Sequence, residues 1–143
     1  TIMSTLYSTQ VKAVGGRNGN IHSEDDLLNL SLALPKALGG KGDATNPEQL
    51  FAAGYASCFG NAVIHVSRNK NNKVRDNDIE VIATVGLKSN DHGGFALTVA
   101  LEVTITDLDQ ETAELIVSEA DKVCPYSNAI RGNIDVSLTV KTR

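Results

Sequence analysis

Asn46-Pro47-Glu48-Gln49-Leu50-Phe51-Ala52-Ala53-Gly54-Tyr55-Ala56-Ser57-Cys58-Phe59-Gly60 is a helix start that leads to a single cysteine, and the remaining elements can be laid out from it. Asn46 can accept a hydrogen bond from a first-turn amide, Pro47 loses nothing at the first helical position by lacking an N–H, and Gln49 can bond back to the cap. Apolar or small residues continue to about Val66, which places Cys58 three turns in, on a stripe with Phe51, Gly54, Tyr55, Ala62 and His65. The many alanines, with Gly54, Ser57 and Gly60, make the helix thin. A glycine inside a helix costs about 1 kcal/mol relative to alanine, so Gly54 and Gly60 predict close approach of another backbone to a buried central helix.

On the N-terminal side, residues 5–14 alternate weakly and end in Gly15-Gly16-Arg17-Asn18-Gly19-Asn20, a strand entering a glycine-rich hairpin turn. After Ile21-His22-Ser23, Leu28, Leu30, Leu32 and Leu34 alternate with small or polar residues up to Pro35, so three short strands precede the helix. Residues 37–45 form a glycine-rich loop. On the C-terminal side, Asn69-Lys70-Asn71-Asn72-Lys73 is a polar connection too short to separate two cores. Beyond it, Ile79, Val81, Ala83, Val85 and Leu87 share one face, as do Phe95, Leu97, Val99, Leu101, Val103 and Ile105, which describes a long antiparallel hairpin. Asp109 caps a second helix with the stripe Ala113, Ile116, Val117, Ala120 and Val123, and Pro125 interrupts it just after Cys124. A short helix from Pro125 to near Gly132 and a last strand with Ile134, Val136, Leu138 and Val140 complete the chain.

Strands that do not alternate with helices predict an α+β fold, with two mainly antiparallel sheets around a central buried helix, in a single domain over residues 1–143. The short N-terminal sheet would remain half exposed in a monomer, and a homodimer is therefore expected.

With 143 residues, the chain can bury a core without disulfide staples or a structural metal. A net charge of −4 with scattered Lys and Arg provides no basic stripe, so nucleic acid is not an expected partner. No apolar run approaches the roughly 18 residues that span a bilayer, and the N-terminus lacks a signal-peptide pattern, so a cytoplasmic protein without a membrane partner is expected. His22, His65 and His92 fall in different elements without ligand spacing, and no metal or other cofactor is expected. No helix follows the Gly15–Gly19 turn to bind phosphate, and no elbow surrounds a serine nucleophile. Thiol chemistry remains. Composition by itself reads Cys58 and Cys124 as two buried thiols and Arg17 as a solvated turn residue. A mid-helix Cys58 requires a cation from elsewhere to ionise, whereas Cys124 could cap the short helix, so residue physics leaves open which cysteine attacks.

NPEQLFAAGYASCF, with GGRNG upstream and CPYSNAIRGNIDV downstream, closely resembles the organic hydroperoxide resistance proteins, a branch of the OsmC-like superfamily. The match runs over nearly the whole chain, with Ser57 and Ile130 as local departures where alanine and threonine would be expected. The resemblance implies an intertwined homodimer and a thiol peroxidase for alkyl or fatty-acid hydroperoxides that needs no metal, haem or flavin. It further implies that Cys58 attacks, Cys124 resolves the sulfenic acid to a disulfide, Arg17 and Glu48 activate Cys58, and a dithiol such as a dihydrolipoyl group regenerates the enzyme. Phe51, Tyr55 and Phe59 would supply an apolar substrate pocket. Glu48 and Cys58 lie about 15 Å apart along a straight helix and on different faces, so a long arginine or the partner chain has to join them. Two other classes fit the residues: a redox sensor or small-molecule binding module without turnover, and a thiol hydrolase or transferase for which Cys124 would be dispensable.

Overall fold

The computed structural model describes residues 3–72 and 74–143, so Lys73 of the polar connection lies outside the described residues. The chain forms two compact units, Thr1–Leu50 and Phe51–Arg143.

The first unit holds a three-stranded antiparallel sheet of β1 (Val11–Val14), β2 (Asn20–Ser23) and β3 (Asn29–Ser31), in that order. β1 is shorter than the alternation over residues 5–14 suggested: residues 3–10 are exposed and lie outside regular structure. The β1–β2 hairpin pairs Val14 with Asn20 across a tight turn, Gly16–Asn18, in which Gly15 takes φ +85° and a Cβ at Gly19 would run into the Val14 carbonyl. Only glycine fits there. The segment after Ser31 is held from both sides, with Leu32 N–H donating to the Gly19 carbonyl (2.8 Å) and Ala33 N–H to the Thr45 carbonyl (2.9 Å). These two bonds bring the hairpin turn beside the start of the long helix.

That helix, α1 (Pro47–Asn69), starts as the sequence suggests, with Asn46 Oδ1 accepting from Gln49 N–H (2.9 Å). The Gln49 side chain instead accepts from Thr45 Oγ1 (2.7 Å). By length and composition alone α1 passes as a bilayer span, as the core helix of a folded domain also does, and Tyr55, Phe59, Ala62, Val63 and Val66 of α1 are buried in the core. Its small residues let the averaged hydropathy rise without a long run of large apolar side chains.

The second unit pairs β4 (Ile79–Ser89) with β5 (Phe95–Ile105) in register from Ile79↔Ile105 to Ser89↔Phe95. Asn90 Oδ1 accepts from both His92 and Gly94 amides (2.9 Å each), which closes the turn between them. β6 (Ser137–Thr142) adds to β5 in parallel, a pairing that requires a crossover, here made by α2 (Gln110–Val123) and α3 (Pro125–Ile130). Asp109 caps α2 by accepting from Thr112 N–H (3.1 Å), as its position before the apolar stripe predicts. One core joins Tyr55, Phe59 and Val63 of α1, Leu101, Val103 and Ile105 of β5, and Ile116, Val117 and Ala120 of α2. Burying each of Phe59, Leu101, Ile105 and Ile116 contributes about 2–3 kcal/mol as apolar surface leaves water. His65 is exposed, so the buried stripe of α1 runs through Tyr55, Phe59, Ala62, Val63 and Val66, with Cys58 on its edge.

Candidate functional site

In the first unit, Arg17 sits in the β1–β2 turn and Glu48 is the second residue of α1, where a carboxylate is favoured by the helix dipole. The hydrogen bonds of Leu32 and Ala33, just after β3, align turn and helix start and let these side chains meet as a two-pronged pair, with Nη1 donating to Oε2 (2.9 Å) and Nη2 to Oε1 (2.8 Å). Glu48 is mostly buried, and the Arg17 hydrogen bonds hold its carboxyl below the ordinary value of 4.5, burial opposing. Glu48 in turn raises the Arg17 pKa. Both groups are charged at any physiological pH. Two of the five guanidinium N–H donors bind Glu48, leaving capacity for another acceptor.

In the second unit, Cys58 projects from the edge of the buried stripe of α1, half-buried, and Cys124 lies fully buried at the junction where Pro125 ends α2 and starts α3. Both are free thiols, and they are neighbours. Burial pushes the Cys58 thiol above the ordinary value of 9.0, the approach of the Tyr126 backbone N–H opposes that rise, and the Cys124 thiol adds to it. Within this unit alone Cys58 is therefore protonated at neutral pH, and forming its thiolate requires a cation.

Around the two thiols, Phe51 meets Tyr55 edge-on at 6.3 Å, and Tyr126 stacks on Tyr55 with centroids 5.8 Å apart and 29° between planes. The Tyr55 and Ser127 hydroxyls share a buried hydrogen bond of 2.6 Å, and burial raises the Tyr55 pKa. Of the three aromatics read as pocket residues, Phe51 is half-buried, while Tyr55 and Phe59 are wholly buried and Phe59 belongs to the core. A cavity of about 260 Å³ opens beside Tyr55, lined by Ser127, Ile130, Arg131, Ile134 and Val136.

Tyr126 is the neighbour that sequence reading passed over, although Gly54 carried its signal. A Cβ on Gly54 would strike the Tyr126 hydroxyl and lie 2.9 Å from its Cζ. The close approach predicted for Gly54 is thus an aromatic ring rather than a backbone. A Cβ on Gly60 would meet Val81 Cγ2 at an ordinary contact distance of 3.7 Å, so among the described residues nothing presses closely there. The histidines are dispersed, with His22 in β2 bonded to Asp26 (2.7 Å), His65 exposed on α1 and His92 in the β4–β5 turn. Among the described residues, no three His, Cys, Asp or Glu side chains are grouped to hold a metal ion.

Residues 40–139 match the model of the family described as OsmC-like protein. The organic hydroperoxide resistance protein OhrB of Bacillus subtilis is 45% identical over 136 residues, covering 95% of this chain and 98% of that protein. Crystal structures of organic hydroperoxide resistance proteins superpose closely. That from Legionella pneumophila has a TM-score of 0.92 at 51% identity, over 96% of this chain and 99% of the other. That from Elizabethkingia anophelis has a TM-score of 0.93 at 43% identity, over 99% of this chain and 100% of the other. With the family model spanning most of its length and such relatives covering nearly all of it, this chain belongs to the OsmC-like protein family, in the branch of the organic hydroperoxide resistance proteins.

Proposed function

We propose that this protein is a cysteine-based peroxidase that reduces organic hydroperoxides to alcohols. The observation that carries the reading is the pair of adjacent free thiols, one half-exposed and one buried, in a chain whose relatives are named for resistance to these compounds. The Cys58 thiolate attacks the outer peroxide oxygen; the O–O bond breaks, sulfur takes the oxygen as sulfenic acid, and the alkoxide leaves as alcohol after protonation. The Cys124 thiol then displaces water from that sulfenic acid, giving a Cys58–Cys124 disulfide. A dithiol, with a dihydrolipoyl group as our candidate, reduces the disulfide by exchange and is itself oxidised. Arg17 supplies the positive charge that Cys58 needs, and Glu48 holds the guanidinium in place. Phe51 and Tyr55 favour an alkyl substituent over bare hydrogen peroxide, with Phe59 as packing behind them.

The direct test is peroxide consumption with dihydrolipoamide as reductant, comparing cumene hydroperoxide with hydrogen peroxide. We expect the organic peroxide to be consumed at least about tenfold faster, a difference of about 1.4 kcal/mol from apolar contact. Consumption of neither would sink the reading, and a single oxidation that dithiols cannot reverse would mark a sensor instead.

The working unit we propose is a cytoplasmic homodimer with residues 1–143 acting as one domain. Leu6 (99% exposed), Leu27 (88%) and Tyr7 (77%) lie uncovered in a unit whose sheet has only three short strands. Apolar surface of this kind calls for a covering chain. Sedimentation equilibrium at micromolar concentration should return twice the 15.2 kDa chain mass; a folded monomer would contradict it.

A further inference from the structure

We propose that Tyr55 and Ser127 are positioning residues for Cys124: the buried hydrogen bond between their hydroxyls ties α3 to α1 within one turn of each cysteine and keeps the resolving thiol within reach of Cys58. The inference deepens the peroxidase reading and rests on its assignment of Cys58 and Cys124 as the disulfide pair.

On α1, Cys58 follows Tyr55 by three residues, so the two lie on one face, about 4.5 Å apart along the axis. Cys124 precedes Ser127 by three residues at the start of α3. Cys124 is wholly buried in the core against which Cys58 packs. The two hydroxyls are 2.6 Å apart, and both Tyr55 and Ser127 are buried. Burial also keeps the Tyr55 phenol protonated, so the pair never lacks a proton to share.

With six residues, α3 is too short to persist without tertiary contacts. Toward α2, Asn128 Nδ2 donates to the Lys122 carbonyl (3.1 Å) and Arg131 Nη2 to the Asp121 carbonyl (2.7 Å), both at the exposed surface. Toward α1, the Tyr55–Ser127 bond is the one side-chain hydrogen bond of α3 among the described residues. The Lys70–Glu119 ion pair (2.9 Å) links α2 to the chain just past α1, but Lys70 lies about 18 Å along the axis from Cys58. The Tyr126 ring stacked on Tyr55 adds apolar contact, which is non-directional. Close packing does not lock α3 here either, since the cavity beside Tyr55 and Ser127 leaves it room to shift. A disulfide needs the two Cα atoms within about 7 Å and the side chains facing. In the resolving step the Cys124 sulfur attacks the sulfenic sulfur of Cys58, the S–S bond forms, the S–O bond breaks, and hydroxide leaves as water with the Cys124 proton. Attack of Cys58 on peroxide makes no such demand on α3. The tie therefore acts on the second step.

The test compares the wild-type chain with Ser127→Ala, Tyr55→Phe and the double variant. Reduced protein is mixed with one equivalent of cumene hydroperoxide, quenched at intervals with an alkylating agent, and read by mass spectrometry for sulfenic acid and disulfide. Ser127→Ala should consume its first equivalent at the wild-type rate and then form the disulfide about tenfold more slowly, the scale of one hydrogen bond. Tyr55→Phe keeps the ring and should slow disulfide formation equally, and the double variant no further, because either loss cuts the same bond. A second measurement uses no peroxide: at equilibrium with reduced and oxidised dithiothreitol, the Cys58–Cys124 disulfide should be about tenfold easier to reduce in all three variants. Wild-type disulfide formation in Ser127→Ala overturns the proposal, as does additive slowing in the double variant. Equal slowing of both steps in Ser127→Ala marks a general structural role and overturns it too, as does a wild-type chain that forms no Cys58–Cys124 disulfide. If a single variant fails to fold, the double variant, which leaves no buried hydroxyl unpaired, decides. An unchanged dithiothreitol equilibrium in variants that still turn over cumene hydroperoxide refutes the tie and leaves the peroxidase reading intact; a shifted equilibrium in a protein that consumes no peroxide refutes that reading and leaves the tie standing.

Discussion

Replacing Cys58 with serine is expected to abolish hydroperoxide turnover, a fall of about a thousandfold or more, since a serine hydroxyl has no anionic population at neutral pH comparable to a thiolate. Cys124→Ser should behave differently. With Cys58 intact, the first oxidation still occurs, so one equivalent of peroxide per chain is consumed before the enzyme stalls as a sulfenic acid with no resolving thiol. An external small thiol should restart it by attacking that sulfenic acid in place of Cys124. The measurement is residual cumene hydroperoxide against enzyme concentration, with the oxidation state of Cys58 read by mass spectrometry. The position of the thiols favours this order, since Cys58 is half-exposed and Cys124 wholly buried. If Cys124→Ser lost the stoichiometric event while Cys58→Ser kept it, the roles would be reversed. Retention of full steady-state peroxide turnover in Cys124→Ser would mean that the external thiol reduces the Cys58 sulfenic acid directly and that Cys124 is not the resolving residue.

The second large effect should come from Arg17. Burial raises the Cys58 thiol above its ordinary value of 9.0, and two pH units below such a value no more than about 1% of the thiol is ionised. If Arg17 supplies the compensating charge, Arg17→Ala should slow peroxide reduction at pH 7 by about a hundredfold, with the rate recovering as pH rises. Arg17→Lys keeps a charge but loses the two-pronged grip on Glu48, and Glu48→Ala frees the guanidinium to wander, so both should fall between wild type and Arg17→Ala. Folding should largely survive, because a pair whose arginine is 36% exposed contributes modestly to stability. The pair also has a pH signature. Since the Glu48 pKa is lower folded than unfolded, its contribution is fully present above the ordinary 4.5 and is lost as pH falls through the depressed folded value. Neutral pH therefore leaves Arg17 anchored, and acid releases it. The decisive readout is the alkylation midpoint of Cys58 in each variant in a Cys124→Ser background; an unchanged midpoint in Arg17→Ala would assign the reactivity of Cys58 to another group. Mixing Arg17→Ala with Cys58→Ser chains tests whether Arg17 acts across a dimer. Rescue to about one working site per mixed dimer is expected if it does.

The elements were legible wherever local chemistry and packing agree. Asn46-Pro47 starts α1 and Asp109 starts α2 because a side-chain oxygen satisfies an amide within three residues, an interaction the sequence contains entire. The alternation of β4 and β5 was readable because one face lies on a core, which imposes the period of two. Residues 5–10 alternate too, yet a strand needs a neighbour to bond, and β1 extends only over Val11–Val14 where β2 supplies one.

For the site, the sequence by itself determined the chemistry available: two thiols far apart in the chain, one arginine in a glycine-bound turn, one carboxylate in the first turn of a helix. It also determined, through Gly54, that something must press closely on α1. Only the tertiary structure decided what meets what. The pairing of Arg17 with Glu48 depends on Leu32, just after β3, bonding to Gly19 and Ala33 bonding to Thr45. The meeting of Cys58 with Cys124 depends on a crossover from β5 to β6 that carries the α2–α3 break onto α1. Whether the Gly54 notch receives a backbone or the Tyr126 ring is likewise a matter of which helix packs there. Caps and alternation act over a few residues and are written in the chain, whereas these contacts join residues whose proximity is set by the whole set of strand pairings, which local sequence does not encode.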